Sequence, residues 1–373
     1  MAVLDFDCRS PTYGDFVTVK DVLGPSAVNN EPHHGAFNIH KDRFFSGGLL
    51  SLLKSTGQNE EIFAWKVEDP RRPEQLHLGN LTGNPRRTGV PDEFLALRDG
   101  GYFVSMMGDS QGNSPGGVLY ISPEWYVEEF PSEHHLPKDD CFNPHGIAVD
   151  ETAGILVTGD FVTPSSILTG GTPHFCDSIR IWDLAEMKIR KTIHLEQAVG
   201  IMNVNFVPGD PELRYIAAVP FDAFGTDVSL YVMDPEGNLH STFHVTPYLI
   251  GPGGRCYSRI NRAGTRMIIA TSISGQVMLL DIEDLLHIRL LDVLQVAEGM
   301  HFITFNKDES RVAFSGYFLD LDSEGLVHQD GDRKVHIFNI EKDIFEEEVV
   351  VDFNNIHGES YRPHGMDAWW PTH

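Results

Sequence analysis

Apolar and polar positions alternate along most of the chain in short runs, each closed by Gly, Pro, Asn or Asp. One pattern recurs: a short alternating strand, a polar turn, then a second apolar strand closing on a small residue. It reads HGAFNIHKDRFFSGG from His34, HGIAVDETAGILVTGDF from His145 and HFITFNKDESRVAFSGYF from His301. The same hairpin pattern runs as DEFLALRDGGYFVSMMGD from Asp92, MNVNFVPGDPELRYIAAVP from Met202 and SRINRAGTRMIIATSIS from Ser258; HGMDAWWP from His364 opens another. Between these hairpins lies a second kind of strand, rich in β-branched and aromatic residues and ending near an acidic turn. Examples are EIFAWKVEDPRRP, IRIWDLAEMKIRKTIHL and VHIFNIEKDIFEEEVVVDF.

Repeats of four short strands, each too small to fold alone, predict an all-β fold, a seven-bladed β-propeller in a single domain spanning residues 1–373. The blades are expected to start near residues 34, 92, 145, 202, 258, 301 and 364. The last repeat has one clear strand, so N-terminal strands, for example DFVTVKDVLG, are expected to complete that blade and close the ring. No Pro/Gly/Ser-rich linker divides the chain, and 35 Gly and 22 Pro spread throughout disfavour long helices. DIEDLLHIRLLDVLQ (281–295) fits a helix or an outer hairpin.

The chemistry follows from where the repeats place histidine. PHHG stands at 32–35 and PHG at 144–146 and again at 363–365. In a propeller the first strand of each blade lies nearest the axis, so His34, His145, His301 and His364 are expected to converge, with Asp92 and Glu93 at the same position of the second repeat. A lone histidine at a strand start more often serves the turn; its recurrence at one repeat position marks a candidate site. Neutral imidazoles suit copper, iron or zinc, and the set argues against calcium or magnesium. The expected cofactor is a transition metal, copper or iron, held by His34, His145, His301 and His364. Glu93 and Asp92 are the candidate catalytic carboxylates, and His33 and Asp160 are candidate additional members. Strand alternation predicts that His33 points away from His34. His135 and His328 are read as solvated or supporting residues, and Trp369 and Trp370 as packing between blades.

Composition narrows the partners. With 28 basic against 54 acidic residues the net charge is −26, which disfavours nucleic acid and anionic membranes and leaves a small-molecule substrate. No apolar run is long enough to span a bilayer, and the N-terminus lacks the basic and apolar regions of a signal peptide, so a cytoplasmic location is expected. Cys8, Cys141, Cys176 and Cys256 show no CxxC or other tight spacing, so neither a disulfide framework nor a zinc knuckle is expected and Cys141 reads as a buried, inert thiol. The NLT sequon at 80–82 is expected to stay unused.

EPHHGAFN, EIFAWKVEDPRRP, DEFLALRDGGYFVSMMGD, FNPHGIAVDETAGILVTGDFVTP, IRIWDLAEMKIRKTI and DFNNIHGESYRPHGMD together resemble the selenium-binding-protein family, whose characterised members include methanethiol oxidases. The resemblance covers nearly the whole chain in order. It implies a seven-bladed propeller with an axial metal centre, copper in the methanethiol oxidases, that oxidises a small thiol with oxygen. His33, His34 and Asn38 match the family's paired-histidine stretch; His145, His301 and His364 match histidine elements of the bacterial-type relatives. His40 stands where animal members place a cysteine, and PDEFLAL faces a second family cysteine, so selenium binding is not expected. Three functions follow. The first is a metal-dependent oxidase or oxygenase acting on a small organic molecule such as a thiol. The second is a non-redox biosynthetic enzyme performing cyclisation, isomerisation or hydrolysis. The third is a binding or scaffold propeller.

Overall fold

The computed structural model describes residues 1–24, 32–49, 62–76, 88–138, 141–168, 172–297, 299–316, 320–321, 327–328, 331–356 and 358–370. The sequon at 80–82 and the side chain of His328 lie outside that description.

After a two-stranded pair, β1 (Ala2–Leu4) with β2 (Phe16–Val19), the chain builds one antiparallel four-stranded sheet after another. The first holds β3 (Pro32–Phe37), β4 (Arg43–Gly48), β5 (Ile62–Lys66) and β6 (Glu74–Leu76). The second holds β7 (Thr88–Ala96), β8 (Tyr102–Asp109), β9 (Gly117–Ile121) and β10 (Val127–Phe130). The third holds β11 (Pro144–Asp150), β12 (Ile155–Asp160), β13 (Ser178–Asp183) and β14 (Lys188–His194), with helix α1 (Pro164–Leu168) in its middle loop. The fourth holds β15 (Asn203–Phe206), β16 (Tyr215–Pro220), β17 (Val228–Met233) and β18 (Leu239–His244). The fifth holds β19 (Cys256–Ile260), β20 (Arg266–Thr271), β21 (Gln276–Asp281) and β22 (Arg289–Gln295). In the sixth, β23 (Met300–Phe305) and β24 (Arg311–Gly316) are followed by a small hairpin, β25 (Asp320–Leu321) with β26 (Val327–His328), before β27 (Lys334–Asn339) and β28 (Glu346–Asp352) complete the sheet.

Each sheet is a meander with strands in chain order, the blade unit of a propeller. The first strands begin within a few residues of six of the expected starts. The expected seventh blade is a point of difference, because six four-stranded sheets form among the described residues. Residues 358–370 after the sixth sheet hold no regular strand, and β1 and β2 pair with each other. The local chemistry explains this. The Trp369 indole donates to the Val67 carbonyl at 3.1 Å and packs against the Phe37–Trp65–Val67 cluster, where a strand would instead need its backbone in a ladder. The segment 281–295 is the outer hairpin, turning between Asp281 and Arg289.

Burial follows strand position. The second strands β12, β16 and β24 are buried at every residue, whereas the fourth strands β14, β18, β22 and β28 are largely half-buried or exposed. Central strands are covered on both faces by neighbouring sheets, so they read as continuous apolar runs; outer strands keep one wet face. Ile216, Leu230, Met267 and Met278 fill the space between the fourth and fifth sheets, and Phe103, Phe142 and Trp182 that between the second and third. The chain forms two compact units, one of residues 1–2, 18–204 and Trp369 onward, the other of residues 3–17 and 205–368.

Candidate metal centre

The inner strands that carry the expected site residues share a defect. Pairing of β3 with β4 skips from Pro32 to Gly35, β7 with β8 from Pro91 to Phe94, β11 with β12 from Pro144 to Ile147, and β23 with β24 from Met300 to Phe302. The skipped residues are His33 and His34, Asp92 and Glu93, His145 and Gly146, and His301. By contrast β19, which supplies no expected ligand, pairs with β20 without a break. A bulged residue leaves the ladder and its side chain is re-aimed. Proline at 32, 91 and 144 has no N–H to give, so the ladder lapses there naturally. Glycine then permits close approach: a Cβ on Gly146 would stand 2.7 Å from the Met202 carbonyl oxygen, and one on Gly47 2.8 Å from that of Pro91. Val90, just before Pro91, has φ 59°, a left-handed conformation that a β-branched residue adopts only under constraint.

In the first compact unit the breaks gather three imidazoles around one carboxylate. Asp92 Oδ1 lies 3.0 Å from His34 Nδ1 and 3.2 Å from His145 Nε2, and Oδ2 lies 3.5 Å from His33 Nε2. All four side chains are buried. His33 and His34 stack with centroids 4.2 Å apart, so His33 does not point away as alternation predicts; the skipped register places both on one side. Burial pushes the Asp92 carboxyl up to about 6, against the pull of His145. Glu93 turns elsewhere: its carboxylate accepts the Ile147 N–H at 3.3 Å and its own N–H donates to Ser105 Oγ at 3.0 Å. Asp160 is held in a different network, accepting from Arg180 Nε at 2.6 Å, Ser178 Oγ at 2.7 Å and the Asn143 N–H at 3.0 Å. Burial raises its pKa to about 6 while Arg180 and the other donors oppose, which leaves it a carboxylate at neutral pH.

In the second unit His301 and His364 are buried with ring centroids 5.2 Å apart, and Tyr257 lies 5.3 Å from His301. A device repeats between the units. Ser105 Oγ on β8 donates to the His145 carbonyl at 2.5 Å, and Ser315 Oγ on β24 donates to the His364 carbonyl. Sequence reasoning passed over both serines, although each stands in the second strand of a repeat whose hairpin had been identified. His135 is exposed, as expected.

The cysteine expectation is corrected. Cys141 and Cys176 form a disulfide, with Cα atoms 5.5 Å apart across a sequence separation of 35. The loop after β12 returns Cys176 beside the segment leading into β11, a meeting made by the fold and invisible to spacing rules. Cys256 is a buried free thiol with its pKa pushed up to about 12 by burial, and Cys8 is free and half-buried.

No family model matches the chain. Over 229 residues it is 20% identical to the methanethiol oxidase of Rattus norvegicus, covering 57% of this chain and 46% of that protein, so it matches less than half the relative's length. A hypothetical selenium-binding protein from Sulfolobus tokodaii superposes with a TM-score of 0.74 at 15% identity, over 94% of this chain and 87% of that one. The fold is a β-propeller. Solved structures of other named chemistry are similar too. A putative 6-phosphogluconolactonase from Bacteroides fragilis gives a TM-score of 0.59 at 11% identity over 92% of this chain and 88% of its own. Hydrazine synthase from Kuenenia stuttgartiensis gives 0.56 at 11% over 84% and 77%. Such likeness carries the fold and leaves the reaction to the site. Among the described residues no helix is long and apolar enough to cross a membrane.

Proposed function

We propose that the protein is a metal-dependent oxidoreductase, a divergent relative of the selenium-binding and methanethiol oxidase propellers, acting on a small organic substrate such as a thiol. In the first unit the ion would be held by His33 and His34. The observation that carries this reading is Asp92, buried against three imidazoles. A carboxylate that takes the second ring nitrogen of a histidine fixes its tautomer and raises its basicity, as around histidine-bound metals. Buried imidazoles also fit copper or iron by donor chemistry, with copper favoured by the resemblance. A bound copper or iron would supply one-electron redox capacity that the side chains lack.

The remaining steps belong to the chain. His34 Nδ1 lies 3.0 Å from Asp92 Oδ1, and Nε2 is the nitrogen assigned to the ion in this reading. His145, whose Nε2 lies 3.2 Å from Asp92 Oδ1, is read here as standing beside the ligands. Asp92, whose pKa burial raises and whose Oδ1 lies 3.2 Å from His145 Nε2, can take a proton passed through His145 from a bound acidic group such as a thiol. Glu93 holds the β11 backbone at Ile147, two residues beyond His145.

The test is elemental analysis of protein purified without a histidine tag, beside a His33→Ala/His34→Ala variant. Stoichiometric copper or iron in the first, lost in the second, supports the reading and directs oxygen-uptake assays to small thiols. No ion after reconstitution sinks it. The Asp92–His145 pair also favours a second reading, acid–base catalysis without redox; activity that survives chelation and exclusion of oxygen would select it.

A further inference from the structure

Phe161, half-buried just after β12, sets its ring edge-on to His145, with centroids 5.2 Å apart and planes at 82°. Its backbone is fastened on both sides: the Phe161 N–H donates to the Asn143 carbonyl at 2.9 Å, and its carbonyl accepts the Cys176 N–H at 2.9 Å. Cys176 is bonded to Cys141, four residues ahead of His145. A covalent bond, two backbone hydrogen bonds and a ring contact thus close a circuit through His145. The Phe161 ring cannot retreat, because Gly200 lies directly against it; a Cβ there would stand 2.7 Å from the ring. Gly200 in turn donates its N–H to the Cys176 carbonyl at 2.7 Å. The other end of the Cys141–His145 run is anchored separately, by Arg180 Nη2 on the Cys141 carbonyl at 3.1 Å and by the Asn143 N–H on Asp160.

We propose that the Cys141–Cys176 disulfide and Phe161 form a redox-sensitive positioning element for His145. Closed, it holds the imidazole in the orientation that brings Nε2 to Asp92. The inference rests on the assignment of His145 and Asp92 to the functional site. Opening is a two-electron reduction. The thiolate of a dithiol reductant attacks Sγ of Cys141, the half-buried partner, and the S–S bond breaks with Cys176 leaving as thiolate. The second thiol of the reductant then displaces Cys141. Both cysteines end as thiols after taking up two protons, and the reductant ends as its own disulfide.

The experiment is NMR of protein labelled with 15N-histidine, with the His145 ring signals assigned by His145→Gln. Full-length protein is compared oxidised and after dithiol reduction under native conditions, with opening confirmed by thiol count and folding by circular dichroism. The expected result is a shift of the His145 ring signals on reduction and in Phe161→Ala, with recovery in Phe161→Tyr. The exposed His287 should not move. Copper affinity, measured in parallel, should fall about tenfold on reduction. Unmoved His145 signals after confirmed opening would overturn the proposal. Absence of copper binding to the oxidised protein would overturn the metal reading alone, since the ring signals report the strap without any ion. Where Cys141→Ser/Cys176→Ser fails to fold, reduction of the wild type decides.

Discussion

His33 and His34 lie ring over ring, planes 20° from parallel, although they are consecutive residues of one strand. A regular pleat would send them to opposite faces. The skipped register between Pro32 and Gly35 turns both inward instead, and only His34 reaches Asp92 at hydrogen-bonding distance, 3.0 Å against 3.5 Å for His33. His34→Ala is therefore expected to abolish stoichiometric metal binding. Asp92→Asn, which leaves the ligands but weakens their orientation, is expected to lower affinity about 10–100-fold. Competition titration against a chelator of known affinity separates these outcomes.

Gly47→Ala tests whether the backbone must approach closely at the start of β7. The added Cβ would meet the Pro91 carbonyl oxygen at 2.8 Å and the Pro91 ring at 3.0 Å, neither of them the end of a flexible side chain. A loss of roughly 1–3 kcal/mol is expected from urea unfolding. Gly154→Ala is the control: its Cβ meets nothing within 4 Å, and the positive φ of 70° alone should cost about 1 kcal/mol.

Asp160 and Arg180 are both fully buried and 2.6 Å apart. Removing one partner strands the other charge, so Asp160→Asn and Arg180→Met should each destabilise by roughly 3–5 kcal/mol. The double variant should lose much less than the sum. Additive losses would show that the pair does not act as one unit.

His336 predicts a pH dependence of stability. Burial alone would lower its pKa, but Asp332 Oδ2 at 2.6 Å from Nε2 and Glu347 Oε1 at 3.0 Å from Nδ1 outweigh this, and the pKa is raised above 6.5. The folded state thus holds a proton that the unfolded state releases near 6.5. The stabilisation is fully present below that value and is lost as pH rises through the folded pKa. The Tm difference between wild type and His336→Gln should therefore be largest in mildly acidic buffer and shrink with rising pH. A constant difference would refute the assignment.

The thiol count is a direct check on the disulfide. Denatured without reductant, the protein should show two reactive thiols, Cys8 and Cys256; after reduction it should show four.

Six blade starts and the recurrence of histidine were legible because proline, histidine and glycine each carry local instructions. Proline ends a ladder, glycine admits a neighbour's backbone, and the residue between them is freed. What was lost is parity. Alternation counts faces from a regular pleat, so it sends His33 the wrong way, and it does not tell Asp92, which meets the histidines, from Glu93, which meets the Ile147 N–H. The Cys141–Cys176 bond was missed because a loop makes it across 35 positions. Among the described residues no seventh four-stranded sheet forms: HGMDAWWP looks like a strand start, while Trp369 packs against Phe37 and Trp65.

The skipped register has one more consequence. Residues at the breaks leave the ladder, so the backbone pairing beside them does not run through those positions. A descendant of this chain could exchange imidazole for carboxylate, amide or thiol at positions 34, 145 or 301 while every hairpin beside them kept its ladder. Catalytic change and structural inheritance would then proceed on separate tracks within one sequence.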